Sequence, residues 1–429
     1  MPRQLAAARG ASRMHFRVAP SRVTLSVPDV DTLRLTQQGR MTGSARAMHR
    51  GGDRNPTTMR ICSILTSLTT GGAETLVCNL SALFTAAGHQ SAVLALADAA
   101  DLGNSAETEA RMMAEVEAAG GTARSLSLGS RRGLLAGARS LRRALAELKP
   151  DLVHAHTARA VLMLGLAGVR VPVVLTHHNS RLSFPPRLFA AFDRIVSAYV
   201  AISSECADIA RRHARRPIEL IVNGASARFR AEAPRTTPAR DPVIVAVGTV
   251  SEQKDYPTLI RAARPLAEQL EASDRTPRIQ IVGGGAPLPE LQALVDQLDV
   301  GHLVELLGPR HDVPELLRKA DLFANSSLYE GMSVAMLEAL SAALPVAATR
   351  VPGNVELVAD GVNGRLVPAS SPEALAGAMV QLLCDDALYR RCSAASLARS
   401  GEYTLEACAE RHLSLYARLL GRQPALQAA

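Results

Sequence analysis

No apolar run of membrane-spanning length in this sequence is free of charge: the nearest, residues 160–176, is interrupted by Arg170 and Pro172, so a soluble chain is expected. No CxxC pair and no His/Cys ligand spacing occurs. The six cysteines (Cys62, Cys78, Cys206, Cys384, Cys392, Cys408) are scattered, which points to a reducing compartment and to no structural zinc. No GxGxxG fingerprint opens a helix, which disfavours a nicotinamide enzyme. No DxD pair stands on a strand-end loop, and no metal ion is expected. Residues 1–58 contain no lysine and no secretory apolar region.

What is present is a chain of 429 residues, 47% hydrophobic, long enough for two ordinary cores. Its formal charge of +8 is concentrated: residues 1–58 hold ten Arg against three Asp, seven of the eight positive charges. The remainder is near neutral, so the basic balance is no argument for nucleic acid. The leader lacks an apolar period and ends in the Gly/Asp/Asn/Pro cluster 51–56; it reads as a disordered tail, or as a start upstream of Met59, with a transit peptide as the alternative.

The most informative stretch is residues 320–353. It reads as a strand (321–326), a loop (327–331), a helix (332–343) and a second strand (345–349), half of a parallel α/β unit. Between Val334 and Leu340 every side chain is apolar except Glu338, so the helix carries a carboxylate inside an otherwise buried surface. That carboxylate requires hydrogen-bond partners or a proton. Glu330 stands eight positions earlier, and the helix start after Gly331 offers free amides to an anion. A nucleotide sugar satisfies all three features: diphosphate on the amides near Met332, Ser333 and Val334, sugar hydroxyls on Glu330, ribose hydroxyls on Glu338.

Strands alternate with helices elsewhere too. A strand at 59–65 turns through Gly71 and Gly72 into a helix at 75–87; further strands are read at 91–96, 151–156, 171–176, 198–202 and 219–222. Strand ends deliver His156, then His177, His178 and Asn179, then Ser203, then Asn223, and residues at the carboxyl ends of parallel strands face the ligand crevice. The basic helix 131–148 carries a stripe of Leu134, Ala138, Leu141, Leu145 and Leu148; an outer solvated face ranks ahead of a membrane-facing one. Arg181, Phe184, Arg187, Leu188 and Phe189 leave peripheral membrane contact or plain packing equally open. After a Pro/Arg-rich linker at 226–242 the pattern resumes with strands at 243–247, 279–282 and 304–307, a loop carrying Lys254, and a glycine loop at Gly283. The division is then 1–58 leader, 59–225 first domain, 226–242 linker, 243–404 second domain, and 405–429 a last helix crossing back to the first domain, with a tail. The fold class is α/β, two Rossmann-like domains with parallel sheets facing across a cleft.

Taken together, Glu330-x7-Glu338 within YEGMSVAMLEALSAALPVAAT, the Gly71–Glu74 loop, His154–His156, His177–Asn179, Asn223-Gly224, Ile281–Gly285 and the DGVNGRLV segment 360–367, read as a hairpin, resemble the retaining glycosyltransferases of family 4, of GT-B architecture. The resemblance implies transfer from a nucleotide sugar, by family habit a UDP-sugar, to a glycan or lipid-linked acceptor, with retention, without a metal or other cofactor, in the cytoplasm or at the inner membrane face. It implies that Glu338 holds ribose, Glu330 contacts the donor sugar, Lys254 neutralises the leaving charge and His156 lies by the reacting centre. One position departs: the family's diphosphate loop carries an Arg where this chain has Thr249. A nucleotide-sugar epimerase and a binding-only member with a weakened site are the alternatives.

Overall fold

The computed structural model describes residues 58–69, 71–102, 104–129 and 133–422. The leader up to residue 57, Arg131 and Arg132 of the basic helix, and the last seven residues lie outside them. In chain order the first half contains β1 (Arg60–Leu65), α1 (Gly72–Ala86), β2 (Gln90–Ala95), α2 (Ala106–Ala118), β3 (Thr122–Ser125), α3 (Leu134–Leu148), β4 (Leu152–Ala155), α4 (Ala158–Ala167), β5 (Val173–Thr176), α5 (Phe189–Phe192), β6 (Ala198–Ala201), α6 (Ser204–His213) and β7 (Ile218–Leu220). The second contains β8 (Val243–Val247), α7 (Tyr256–Glu271), β9 (Arg278–Val282), α8 (Leu288–Gln297), β10 (Val304–Gly308), α9 (Val313–Lys319), β11 (Leu322–Asn325), α10 (Val334–Ser341), β12 (Val346–Thr349), α11 (Pro352–Leu357), β13 (Gly364–Val367), α12 (Pro372–Cys384), α13 (Asp386–Ser400) and α14 (Leu405–Leu419).

Two parallel sheets result, ordered β3-β2-β1-β4-β5-β6-β7 and β10-β9-β8-β11-β12-β13. Their central strands are continuous apolar runs such as Val243–Val247, as a sheet covered by helices on both faces requires. The strand order reverses between β1 and β4 in the first sheet and between β8 and β11 in the second. A crevice opens beyond the carboxyl ends of strands at such a switch point. The loops leaving these four strands carry Gly71-Gly72, His156, Lys254 and Glu330, so topology alone delivers the four signals to two facing crevices.

Two sequence expectations are corrected, and one left open is decided for two residues. The segment 360–367 is no hairpin: β13 pairs parallel to β12 (Val346 opposite Gly364), and Asp360 and Asn363 shape the turn before it by accepting from the amides of Leu366 and Ala359. The stripe of α3 is buried at Ala138, Leu141 and Leu145, but Leu134 is 40% exposed, because the helix begins only there and its first turn overhangs the core. Of the residues left open between packing and membrane contact, Phe184 and Phe189 pack: they are buried among Phe192, Tyr199 and His177, with ring centroids 5.1–5.6 Å apart, while Arg181 and Arg187 are exposed.

The last helix, α14, lies against the first sheet's side of the molecule. Tyr416 meets Phe84 edge-on at 5.8 Å, its hydroxyl is 2.6 Å from His154 Nδ1, and Arg418 pairs with Glu219 at 2.6 Å.

Candidate functional site in the cleft

Helix α10 starts where Ser333, in extended backbone, accepts the amide of Met336 at 3.3 Å. The amides of Val334 and Ala335 belong to the first turn and have no partner within the helix. Gly72, at the start of α1, comes to the same place: a Cβ there would lie 3.4 Å from Val334 Cβ. Two helix N-termini, one from each sheet, thus converge on one cavity of about 160 Å³. Its wall includes Gly72, Val334, Ala335, Glu338, Gly248 and the cations Arg111, Arg228 and Arg310.

Glu338 is 8% exposed, and no protein side chain or amide donates to it among the described residues. Burial pushes its carboxyl up to about 8, an effect that the Arg228 charge offsets in part. The donors that its burial calls for are absent among the described residues, and the carboxyl lines the cavity.

Lys254 and Glu330 stand apart from that cavity. Lys254 Nζ lies 2.5 Å from Glu330 Oε1, which also accepts from Ser327 Oγ at 2.7 Å, while Gln253 Nε2 donates to Glu330 Oε2 at 3.2 Å. Gln253 in turn receives a hydrogen bond from Asn179 Nδ2 at 3.1 Å, joining the first half of the chain to the second. Asn223 makes a similar link, donating to the carbonyl of Met332 at 3.2 Å. At Gly331 the backbones themselves meet: a Cβ would lie 2.8 Å from the His178 carbonyl, so only glycine fits.

His156 and His178 form a pair, with Nδ1 and Nε2 2.9 Å apart; the outer nitrogens, His156 Nε2 and His178 Nδ1, are buried without a partner. Burial and neighbouring imidazoles lower both, His178 to about 3, so both are neutral rings. His177 is turned away, bound to the Asn179 carbonyl and to Ser183.

Three residues expected at a substrate have other work. Ser203 is fully buried and caps α6 by accepting the Cys206 amide. Gly283, with φ +151°, leaves no room for a Cβ because the Gly248 carbonyl fills the place; it seats the loop after β8. Gly71 likewise faces the Glu74 carboxylate, which burial raises to about 7, rather than the cavity.

Sequence reasoning missed the cationic wall. Arg228 fell in a segment read as linker, and Arg111 and Arg310 sit in helix and loop positions that no motif marks. It also missed Glu356, which spans the cleft to accept from the amides of Ser204 and Glu205 at the start of α6.

A family model described as Glycosyltransferase Family 4 matches residues 70–229, and one described as Glycosyl transferases group 1 matches residues 241–385. The lipopolysaccharide core biosynthesis glycosyltransferase LpsE of Rhizobium meliloti (strain 1021) is 29% identical over 281 residues, covering 64% of this chain and 77% of that protein. The D-inositol 3-phosphate glycosyltransferase of Corynebacterium diphtheriae is 32% identical over 186 residues, 42% of this chain and 43% of that one, so less than half of its length is spanned. Among solved structures, Anabaena Alr3699/HepE in complex with UDP and glucose superposes with a TM-score of 0.70 at 21% identity, covering 84% of this chain and 99% of that one. The epimerase alternative finds no support among these relatives.

Proposed function

Because the chain belongs to the glycosyltransferases, with a family 4 domain followed by a group 1 domain, we propose that it transfers a sugar from a UDP-sugar to a glycan or lipid-linked acceptor of the cell envelope. The reading includes retention at the anomeric carbon, independence of metal ions and work at the cytoplasmic side. Among the described residues no helix is long and apolar enough to cross a membrane. The observation that carries the reading is Glu338, a buried carboxyl with no protein donor among the described residues, in a cavity walled by arginines and two helix starts. A ribose diol supplies the missing donors, and a diphosphate suits the amides of Val334 and Ala335 and the guanidinium groups of Arg111, Arg228 and Arg310.

In transfer the bond between the anomeric carbon and the β-phosphate oxygen breaks, the acceptor oxygen bonds to the same face, and the acceptor proton passes to the departing phosphate. Negative charge grows on that phosphate, and fixed cations stabilise the transition state more than the bound donor. Metal independence is supported by this cationic wall, in which Arg310 is paired with Asp312 at 2.6 Å and Arg111 with Glu115 at 3.4 Å until a donor competes for them. Lys254 joins it only once a donor competes with Glu330 for its ammonium group. The His156–His178 pair, with two unsatisfied ring nitrogens, suits hydroxyls of the transferred sugar.

The test is a thermal-shift screen of nucleotide sugars on the full chain, followed by a nucleotide-release assay in EDTA with the hits. UDP-sugars stabilise the protein and turn over if the reading holds. Strict metal dependence, or stabilisation by other nucleotides only, overturns it. Binding without turnover across acceptors favours the binding-only reading, for which Thr249 and the closed Lys254–Glu330 pair speak.

A further inference from the structure

A second cavity, of about 450 Å³, lies behind the first under the segment that joins the two sheets. Its lining holds four arginines, Arg228, Arg230, Arg235 and Arg318, and a single carboxylate, Glu232, which is exposed. Arg235 has a structural task. It donates to the carbonyls of Leu317, Arg318 and Ala342, at the C-terminal ends of α9 and α10, and its charge offsets the negative ends of both helices. Its Nε is nevertheless buried without a partner.

The other three guanidinium groups are not consumed in this way. Among the described residues the exposed guanidinium of Arg230 makes no ion pair or hydrogen bond; only its backbone amide donates, to the Ala227 carbonyl. Arg228 stacks on Phe229 at 5.0 Å and forms no ion pair with a carboxylate among the described residues. Arg318 meets Glu315 at 3.6 Å on the exposed helix surface, a contact of little strength. Three cations therefore border a cavity with one acid, and they come from the joining segment on one side and from α9 on the other.

We propose that this cavity is an anion site for a phosphate group, separate from the donor cavity, that ties the joining segment to α9. Guanidinium pairs bind phosphate oxygens in the bidentate manner that a cluster of arginines favours over a carboxylate-poor surface of lysines. The phosphate comes either from a soluble phosphate or diphosphate or from an anionic lipid headgroup; the chemistry recognised is the same. Arg228, Phe229 and Pro314 line both cavities, so the two sites share a wall. The proposal stands independently of what the donor is.

The experiment uses the full chain and its Arg230→Gln/Arg318→Gln variant, neither position lining the donor cavity. Pyrophosphate and inorganic phosphate are titrated calorimetrically, and flotation is measured with phosphatidylglycerol vesicles against phosphatidylcholine vesicles. At least one of these phosphates, or the anionic vesicle, binds the native chain, and that binding weakens at least tenfold in the double variant. Binding of the soluble ions alone identifies a soluble ligand; binding of the anionic vesicle alone identifies a headgroup. Pyrophosphate held in the donor cavity survives the double substitution, so equal affinity in native and variant overturns the proposal, as does failure of every probe to bind the native chain.

Discussion

Lys254 Nζ and Glu330 Oε1 are 2.5 Å apart, with side chains 15% and 5% exposed, so the cation and the acid singled out in the sequence are held by each other before any ligand arrives. An ion pair this deep is costly to break from one side, because the surviving charge has no water to turn to. Lys254→Met should therefore lose about 3–5 kcal/mol of stability in urea unfolding. Adding Glu330→Gln should recover most of that loss without restoring nucleotide release. Recovery of both stability and turnover in the double variant would remove Lys254 from the chemistry.

Glu338 gives a pH signature. Its folded value of about 8 stands above the ordinary carboxyl value of 4.5, so the folded protein holds a proton that the unfolded chain has released. Stability from this group is complete below about pH 4.5 and is lost as pH rises toward 8, at up to about 1.4 kcal/mol per pH unit. Glu338→Gln should flatten that slope in melting curves between pH 5 and about 8. Parallel curves for variant and native chain would contradict the burial argument.

Tyr416 holds the crossing helix to the strand end. Tyr416→Phe leaves His154 Nδ1 without its 2.6 Å partner in a fully buried place, and about 1–3 kcal/mol should be lost. Differential scanning calorimetry reads this directly. An unchanged melting temperature would mean that His154 is satisfied otherwise.

Asn179 and Gln253 link the two halves at 3.1 Å. Asn179→Ala should raise KM for the donor several-fold while moving kcat less, since the link aligns Gln253 against Glu330 rather than touching the reacting atoms. A fall in kcat alone would contradict a positioning role.

Much of this was legible in the residues. The apolar run Val334–Leu340 interrupted by Glu338 announced both helix α10 and its cavity, and continuous runs such as Val243–Val247 announced buried parallel strands. The rest was hidden for physical reasons. Strand β3 is an edge strand, TARS, with no apolar alternation to mark it. Helix α13 buries Ser393, Ser396 and Ser400, whose hydroxyls bond to carbonyls of Ala343, Asn363 and Leu397, so its inner face looks polar in sequence. Helix α4 and strand β5 merge into one apolar stretch. Arg228 reads as linker because its place in the cavity is set by folding, and Ser203 reads as a ligand contact because a cap and a contact use the same residue type.

Glu338 is the acid proposed to receive the donor's ribose. Calorimetric titration of UDP into the full chain and into Glu338→Ala measures this most directly. The variant should lose at least tenfold in affinity; equal affinity in both proteins would contradict the ribose role of Glu338.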